Sequence, residues 1–265
     1  MGDASLGLRA GEARSLLLVP KTAVQVTLRG LDLVAGVLIS LGVTANAITV
    51  TSVVLAAIGG GLLAFGQFAW AGAAMVVSSL GDALDGMVAR RSGSASVAGA
   101  LLDASVDRYE EFLFLGGLAV HFHESTAALL LTVAALAGSF MVSYGSAKAE
   151  ALGVPVPPGA MRRAERAVCL CAGVVSMPVL SWATHGSAMP FWAANAPLLL
   201  MLVVVALGAN VSAVRRLRLL AHHGNKATGA RIGVTPDALE IEADEADPMS
   251  DPDPGGQVVV APHAP

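Results

Sequence analysis

The sequence predicts an all-α membrane protein: six transmembrane helices preceded by an amphipathic juxtamembrane helix. Three observations carry this. The 265-residue chain is 55% hydrophobic and only 14% charged, where soluble domains carry about 25%. Its apolar residues fall into six stretches, each long enough to cross roughly 30 Å of hydrocarbon. Its basic residues sort to one side of those stretches.

Residues 1–16 are polar and are expected to be a flexible N-terminus. No cleavable leader pattern and no myristoylation pattern is expected there. From residue 17 to about 41, Lys21, Gln25, Arg29 and Asp32 make one polar stripe among apolar positions. That pattern suits a helix lying at the membrane surface. The six spans are expected at about 47–66, 68–89, 99–121, 126–148, 165–185 and 191–213. Residues 17–224 then form one membrane domain.

Glycine-rich stretches such as Gly59-Gly60-Gly61 and Gly116-Gly117 suit close helix packing and are compatible with a homodimer. Cys169 and Cys171 are two apart on an apolar helix, so they face different directions and are expected as unpaired thiols. The stretch from Asp237 to Pro265 holds eight acids and neither Lys nor Arg. It is expected to belong to a disordered acidic tail over 225–265. The rest has 16 basic residues against 12 acidic ones, a basic body that the overall net charge of −4 conceals.

All 16 Lys and Arg residues fall before the first span, around the second and fourth loops, or after the last span. By the positive-inside rule, both termini and those loops are cytoplasmic. Trp70, Trp182 and Trp192 all fall at the opposite interface, where aromatic belts form. Nothing in this pattern points to nucleic acid; the expected partners are membrane lipids.

The chemistry lies where span two leaves and span three enters the membrane. Asp82 and Asp85 are three apart, and Asp103 and Asp107 four apart, so each pair shares one helix face. Clustered intramembrane acids are costly and point to function. Two such pairs facing each other make an all-oxygen cage suited to Mg²⁺ or Mn²⁺.

The full pattern is Asp82-x2-Asp85-Gly86-x2-Ala89-Arg90-x8-Gly99-x3-Asp103-x3-Asp107. It resembles the signature of the CDP-alcohol phosphatidyltransferases at every specified position. The resemblance implies two divalent ions held by Asp82, Asp85, Asp103 and Asp107, with Asp107 also the general base. It implies a CDP site formed by Asp82, Gly86, Ala89, Arg90 and Gly99. Gly42-Val43-Thr44-Ala45-Asn46-Ala47-Ile48-Thr49 resembles a further stretch of that family, with Ala45 where proline is usual. Asn46 is expected to cap the following helix, and Asn46 and Thr49 to reach the nucleotide.

Ser143-Tyr144-Gly145-Ser146-Ala147-Lys148 and Arg163-Ala164-Glu165-Arg166 resemble stretches of the phosphatidylinositol-phosphate synthase branch. With Arg216, this implies an acceptor pocket of Lys148, Arg163, Arg166 and Arg216 for a phosphorylated polyol such as inositol phosphate or glycerol 3-phosphate. Ser146 stands where that branch has lysine, so the pocket has one charge fewer. The expected activity is transfer of a lipid-phosphate group from CDP-diacylglycerol, or a similar CDP-linked donor, to an alcohol, with release of CMP. A metal-dependent intramembrane prenyltransferase and a cation transporter with intramembrane acids stand as alternatives.

Overall fold

The computed structural model describes residues 21–155, 161–185 and 187–231. All secondary structure among them is helical: α1 (Lys21–Ser40), α2 (Ala45–Ala64), α3 (Phe68–Arg91), α4 (Val97–His121), α5 (Thr126–Ala151), α6 (Arg163–Ala183), the single turn α7 (Phe191–Ala194) and α8 (Ala196–Arg231). By its contacts the chain divides into two units, at Leu220 and Ala221. The first holds the helical core and the site. The described part of the second is the last stretch of α8. The helix therefore runs to Arg231, into residues assigned to the tail from sequence; residues 1–20 and 232–265 lie outside the described residues.

Among the described residues, four helices are long and apolar enough to cross a membrane: α2, α5, α6 and the Ala196–His223 part of α8. Helices α3 and α4, at 24 and 25 residues, are longer than α2 and α6, but carry four and five charged residues. The exterior is apolar: Leu33, Phe65, Trp70, Leu101, Trp182 and Leu207 are all largely exposed. In water such a surface would drive association. Against lipid it is the expected outer face, and the chain is an integral membrane protein.

The main core is small and tightly meshed. Leu63, Met75, Phe114, Leu115, Leu118, Val174, Leu198 and Leu202 are buried together. Between lipid-facing helices there is little hydrophobic gain, so close approach and interhelical hydrogen bonds carry the packing. Helices α2 and α4 cross at glycines. A Cβ on Gly60 would run into the Leu113 carbonyl, and one on Gly117 into the Gly60 carbonyl. Helix α8 approaches α5 at Gly138, where Asn210 Nδ2 donates to the Ala134 carbonyl at 2.9 Å.

A second cluster of Ala35, Ile48 and Val88 fastens α1 to α2 and α3. Arg91 at the end of α3 reinforces it, donating to the Asp32 carbonyl at 2.9 Å and meeting the Asp32 carboxylate at 3.3 Å. Asp32 of the α1 polar stripe thus tethers α3.

The α2–α4 crossing makes a sharp prediction. Gly117→Ala or Gly60→Ala should cost about 1–3 kcal/mol, because backbone must move to admit the methyl group. Gly116→Ala, one residue away and meeting nothing within 4 Å, should be neutral or slightly stabilising. Thermal unfolding in detergent reads the difference. Equal midpoints for Gly116→Ala and Gly117→Ala would show that the helices are free to separate.

Candidate active site

The start of α2, the end of α3 and the start of α4 meet around a cavity of about 650 Å³. Each element is brought there by local chemistry. Gly42, at φ +74°, ends the α1 turn in a left-handed conformation that glycine adopts without strain. Thr44 then caps α2, its Oγ1 accepting the Ala47 N–H at 3.3 Å. This corrects the expectation that Asn46 is the cap: the helix begins at Ala45, and threonine at the preceding position reaches the orphan N–H. Asn46 instead lines the cavity. Ser96 caps α4 in the same way, accepting the Gly99 N–H at 3.0 Å.

Asn46, Thr49, Gly86, Ala89, Arg90 and Gly99 all line this one cavity, together with Asp85 and Asp103. At Gly86 an added Cβ would lie 3.2 Å from Arg90 Nη1, so the glycine lets that guanidinium lie close over the helix backbone. Thr49 is committed to a neighbour: its Oγ1 donates to Asp85 Oδ2 at 2.6 Å, with both residues buried. Asp82 does not line the cavity. It faces α6.

On that side, Arg163 from the first turn of α6 meets three acids at once. Its Nη2 donates to Asp82 Oδ2, lies 2.7 Å from Asp107 Oδ1 and lies 3.2 Å from Glu110 Oε2. The Asp107 contact is off hydrogen-bond geometry. Three carboxylates against one guanidinium leave two surplus negative charges when all are ionised. Asp82 Oδ1 and Glu110 Oε1 are also buried without a hydrogen bond.

Surplus negative charge, hard oxygen donors and orphaned buried oxygens together fit a divalent cation. Among the described residues, no three acids close on a single point as metal ligands would; Arg163 stands between Asp82 and Asp107.

Beyond Arg163 lies a second cavity of about 470 Å³, with Asp107 at its edge. Five arginines line it: Arg108, Arg162, Arg163, Arg166 and Arg216. Two acids, Asp107 and Glu111, face them. Arg216 donates to Ser146 Oγ, and its Nε is buried without a hydrogen bond. Of the four basic residues expected from sequence, Arg163, Arg166 and Arg216 converge here. Lys148 is exposed and lines neither cavity.

Four participants were missed in the sequence: Arg108, Arg162, Glu110 and Glu111. The signal for the glutamates was present. They are acids inside an apolar helix, three and four residues after Asp107, and the rule that flagged the aspartates applies equally to them. The arginines were counted only as flanking charge.

Known proteins repeat both the sequence and the fold. A phosphatidylinositol phosphate synthase of Mycolicibacterium smegmatis is 33% identical over 152 residues, covering 54% of this chain and 68% of that one. The crystal structure of Mycobacterium tuberculosis phosphatidylinositol phosphate synthase (PgsA1) with CDP-DAG bound superposes with a TM-score of 0.61 at 26% identity, covering 72% of this chain and 93% of that one. The same enzyme in complex with manganese and citrate gives a TM-score of 0.61 at 25% identity, covering 71% and 88%. Residues 42–209 match the CDP-alcohol phosphatidyltransferase family; the chain belongs to that family and is an enzyme of that class.

Proposed function

We propose that the protein transfers a lipid-phosphate group from CDP-diacylglycerol, or a similar CDP-linked lipid, to the hydroxyl of a phosphorylated polyol. The observation that carries this is the pair of adjoining cavities. One is lined by signature residues including Asp103, and the other by five arginines and by Asp107, one α4 turn further on. The donor's nucleotide belongs in the first and the acceptor in the second. Inositol phosphate is the acceptor that the named relatives favour.

The adjoining cavities support the following reaction. Asp107 takes the proton of the acceptor hydroxyl. The freed oxygen attacks the lipid-side phosphorus of the donor pyrophosphate, forming the new O–P bond. The bond from that phosphorus to the bridging oxygen breaks, and CMP leaves with the electron pair. Asp82, Asp85, Asp103 and Asp107 would hold two divalent ions, magnesium or manganese, which when bound neutralise the pyrophosphate and the charge on the entering and leaving oxygens. Thr49 orients the Asp85 carboxylate through its 2.6 Å hydrogen bond.

The acceptor reading rests on charge. Five guanidinium groups line the second cavity against Asp107 and Glu111; with Asp82 and Glu110, which also meet Arg163, four carboxylates face five guanidiniums, a small positive balance. The buried Arg216 Nε has no hydrogen bond, a cost that an anionic ligand would remove. A phosphate suits arginine forks better than an uncharged polyol does.

The membrane reading has six spans, with α3 and α4 among them, α1 along the surface, and the active site and both termini cytoplasmic. What supports it is the sorting of all basic residues toward the acid-bearing end and of all three tryptophans toward the other. Asp82, Asp85, Asp103 and Asp107 would then lie near the cytoplasmic interface, within reach of soluble acceptor and of a lipid donor in the inner leaflet. Residues 17–224 make the catalytic domain and 225–265 an accessory tail. Glycine-mediated helix contacts are compatible with a homodimer.

Purified protein with CDP-diacylglycerol, read by CMP release, tests the reaction. Asp107→Asn should lower turnover at least about a hundredfold, as loss of a general base does, while donor binding changes little. Near-normal turnover would remove Asp107 from its role. Exhaustive chelation should abolish activity, and Mg²⁺ or Mn²⁺ should restore it; activity that survives chelation sinks the two-ion scheme. For the acceptor, Arg216→Ala should raise the KM for inositol phosphate about tenfold, in line with roughly 1.5–3 kcal/mol for a hydrogen bond to a charged group, with little change in donor KM. Preference for a neutral alcohol over any phosphorylated one would refute the polyol-phosphate assignment alone.

A further inference from the structure

Helix α4 carries two acids beyond the last aspartate of the signature, and they have different partners. Glu110 meets Arg163. Glu111 takes Arg166 in a side-on, two-point grip: Nε donates to Oε1 at 2.6 Å and Nη2 to Oε2 at 2.9 Å. The Arg166 side chain is 1% exposed and that of Glu111 10%. Two parallel bonds fix the plane of the guanidinium as well as its position. Of its five N–H groups, Glu111 takes two and the Met161 carbonyl takes a third at 3.4 Å. Two donors remain on a side chain that lines the second cavity.

Glu111 follows Asp107 by four residues, so the two share one face of α4, a single turn apart. Both line the same cavity. One rigid helix therefore carries the carboxylate assigned to the acceptor hydroxyl and the carboxylate that aims Arg166.

We propose that Glu111 is a positioning residue of the transfer reaction. It fixes the Arg166 guanidinium at a set distance and angle from Asp107, so that a phosphorylated acceptor gripped by its phosphate presents its hydroxyl to the base. This rests on the acceptor reading above. A pair that only fastened α4 to α6 would act on stability and leave acceptor kinetics alone. A carboxylate that only neutralised Arg166 would weaken phosphate binding, and its removal would strengthen it. Positioning predicts the opposite sign.

The test uses full-length protein in detergent, with CDP-diacylglycerol and inositol phosphate as substrates. Glu111→Gln should raise the inositol phosphate KM about tenfold, with donor KM within about twofold of wild type. Glu111→Asp keeps the charge but is too short for the two-point grip, so its acceptor KM should fall between wild type and Glu111→Gln. This second variant carries the test if the uncompensated arginine prevents Glu111→Gln from folding. Because Glu111 acts through Arg166, Arg166→Met alone and Arg166→Met with Glu111→Gln should share one acceptor KM, both at or above that of Glu111→Gln.

An unchanged acceptor KM in Glu111→Asp overturns the proposal, as does a lowered one in Glu111→Gln. Independent, additive effects in the Arg166→Met background overturn it as well. If Arg166→Met raises the acceptor KM while Glu111→Asp does not, the acceptor reading stands and Glu111 loses its role. If Arg166→Met itself leaves the KM unchanged, both fall together.

Discussion

Five buried or half-buried carboxylates on α3 and α4, Asp82, Asp85, Asp107, Glu110 and Glu111, impose the main constraint on this protein. In a membrane-embedded core, unpaired charge costs several kcal/mol per ion; four of the five have a hydrogen-bond donor on a neighbouring helix, and Asp107 lies 2.7 Å from Arg163. Thr49 of α2 serves Asp85, Arg163 of α6 serves Asp82 and Glu110, and Arg166 of α6 serves Glu111. These bonds join four helices at one end of the molecule. Away from the acids the same helices meet through close glycine contacts and a core of Leu63, Met75, Phe114, Leu118 and Val174.

This division explains where rigidity is placed. The Gly60–Gly117 crossing brings the backbones of α2 and α4 together in the apolar half. It thereby sets how far apart their polar ends stand. The first cavity lies where the polar ends of α2, α3 and α4 meet, and the second where α4 meets α5, α6 and α8. A small displacement at the crossing would be carried along about a dozen residues, at 1.5 Å each, to the acids.

The two cavities differ in character because of α4. Its first turns present Gly99 and Asp103 to the nucleotide side, and its next turn presents Asp107 and Glu111 to the arginines. The two cavities adjoin along α4, with Asp103 lining the first and Asp107, one turn on, lining the second. The cation-transporter alternative has no counterpart in this arrangement, since the acids sit at one end among arginines. The prenyltransferase alternative gives way to the family match over residues 42–209.

From sequence alone, several things were legible. The apolar periodicity and the scarcity of charge determined an all-helical membrane protein, because hydrocarbon admits few other backbones. The spacing of Asp82, Asp85, Asp103 and Asp107 placed the members of each pair within about one turn of each other; in the structure Asp85 and Asp103 line the first cavity, while Asp82 and Asp107 turn toward Arg163. The signature then named the family.

What tertiary structure alone decided is who meets whom across helices. Nothing in the spacing says that Arg163 contacts the aspartates, that Thr49 binds Asp85, or that Lys148 points away while Arg108 and Arg162 join the basic cavity. Those outcomes depend on the crossing of α2 with α4 and on the rotation of α6 about its own axis. Both are settled by the packing of glycines and small side chains far away in sequence. Local periodicity fixes the face a residue occupies, and only the packed bundle decides what that face meets.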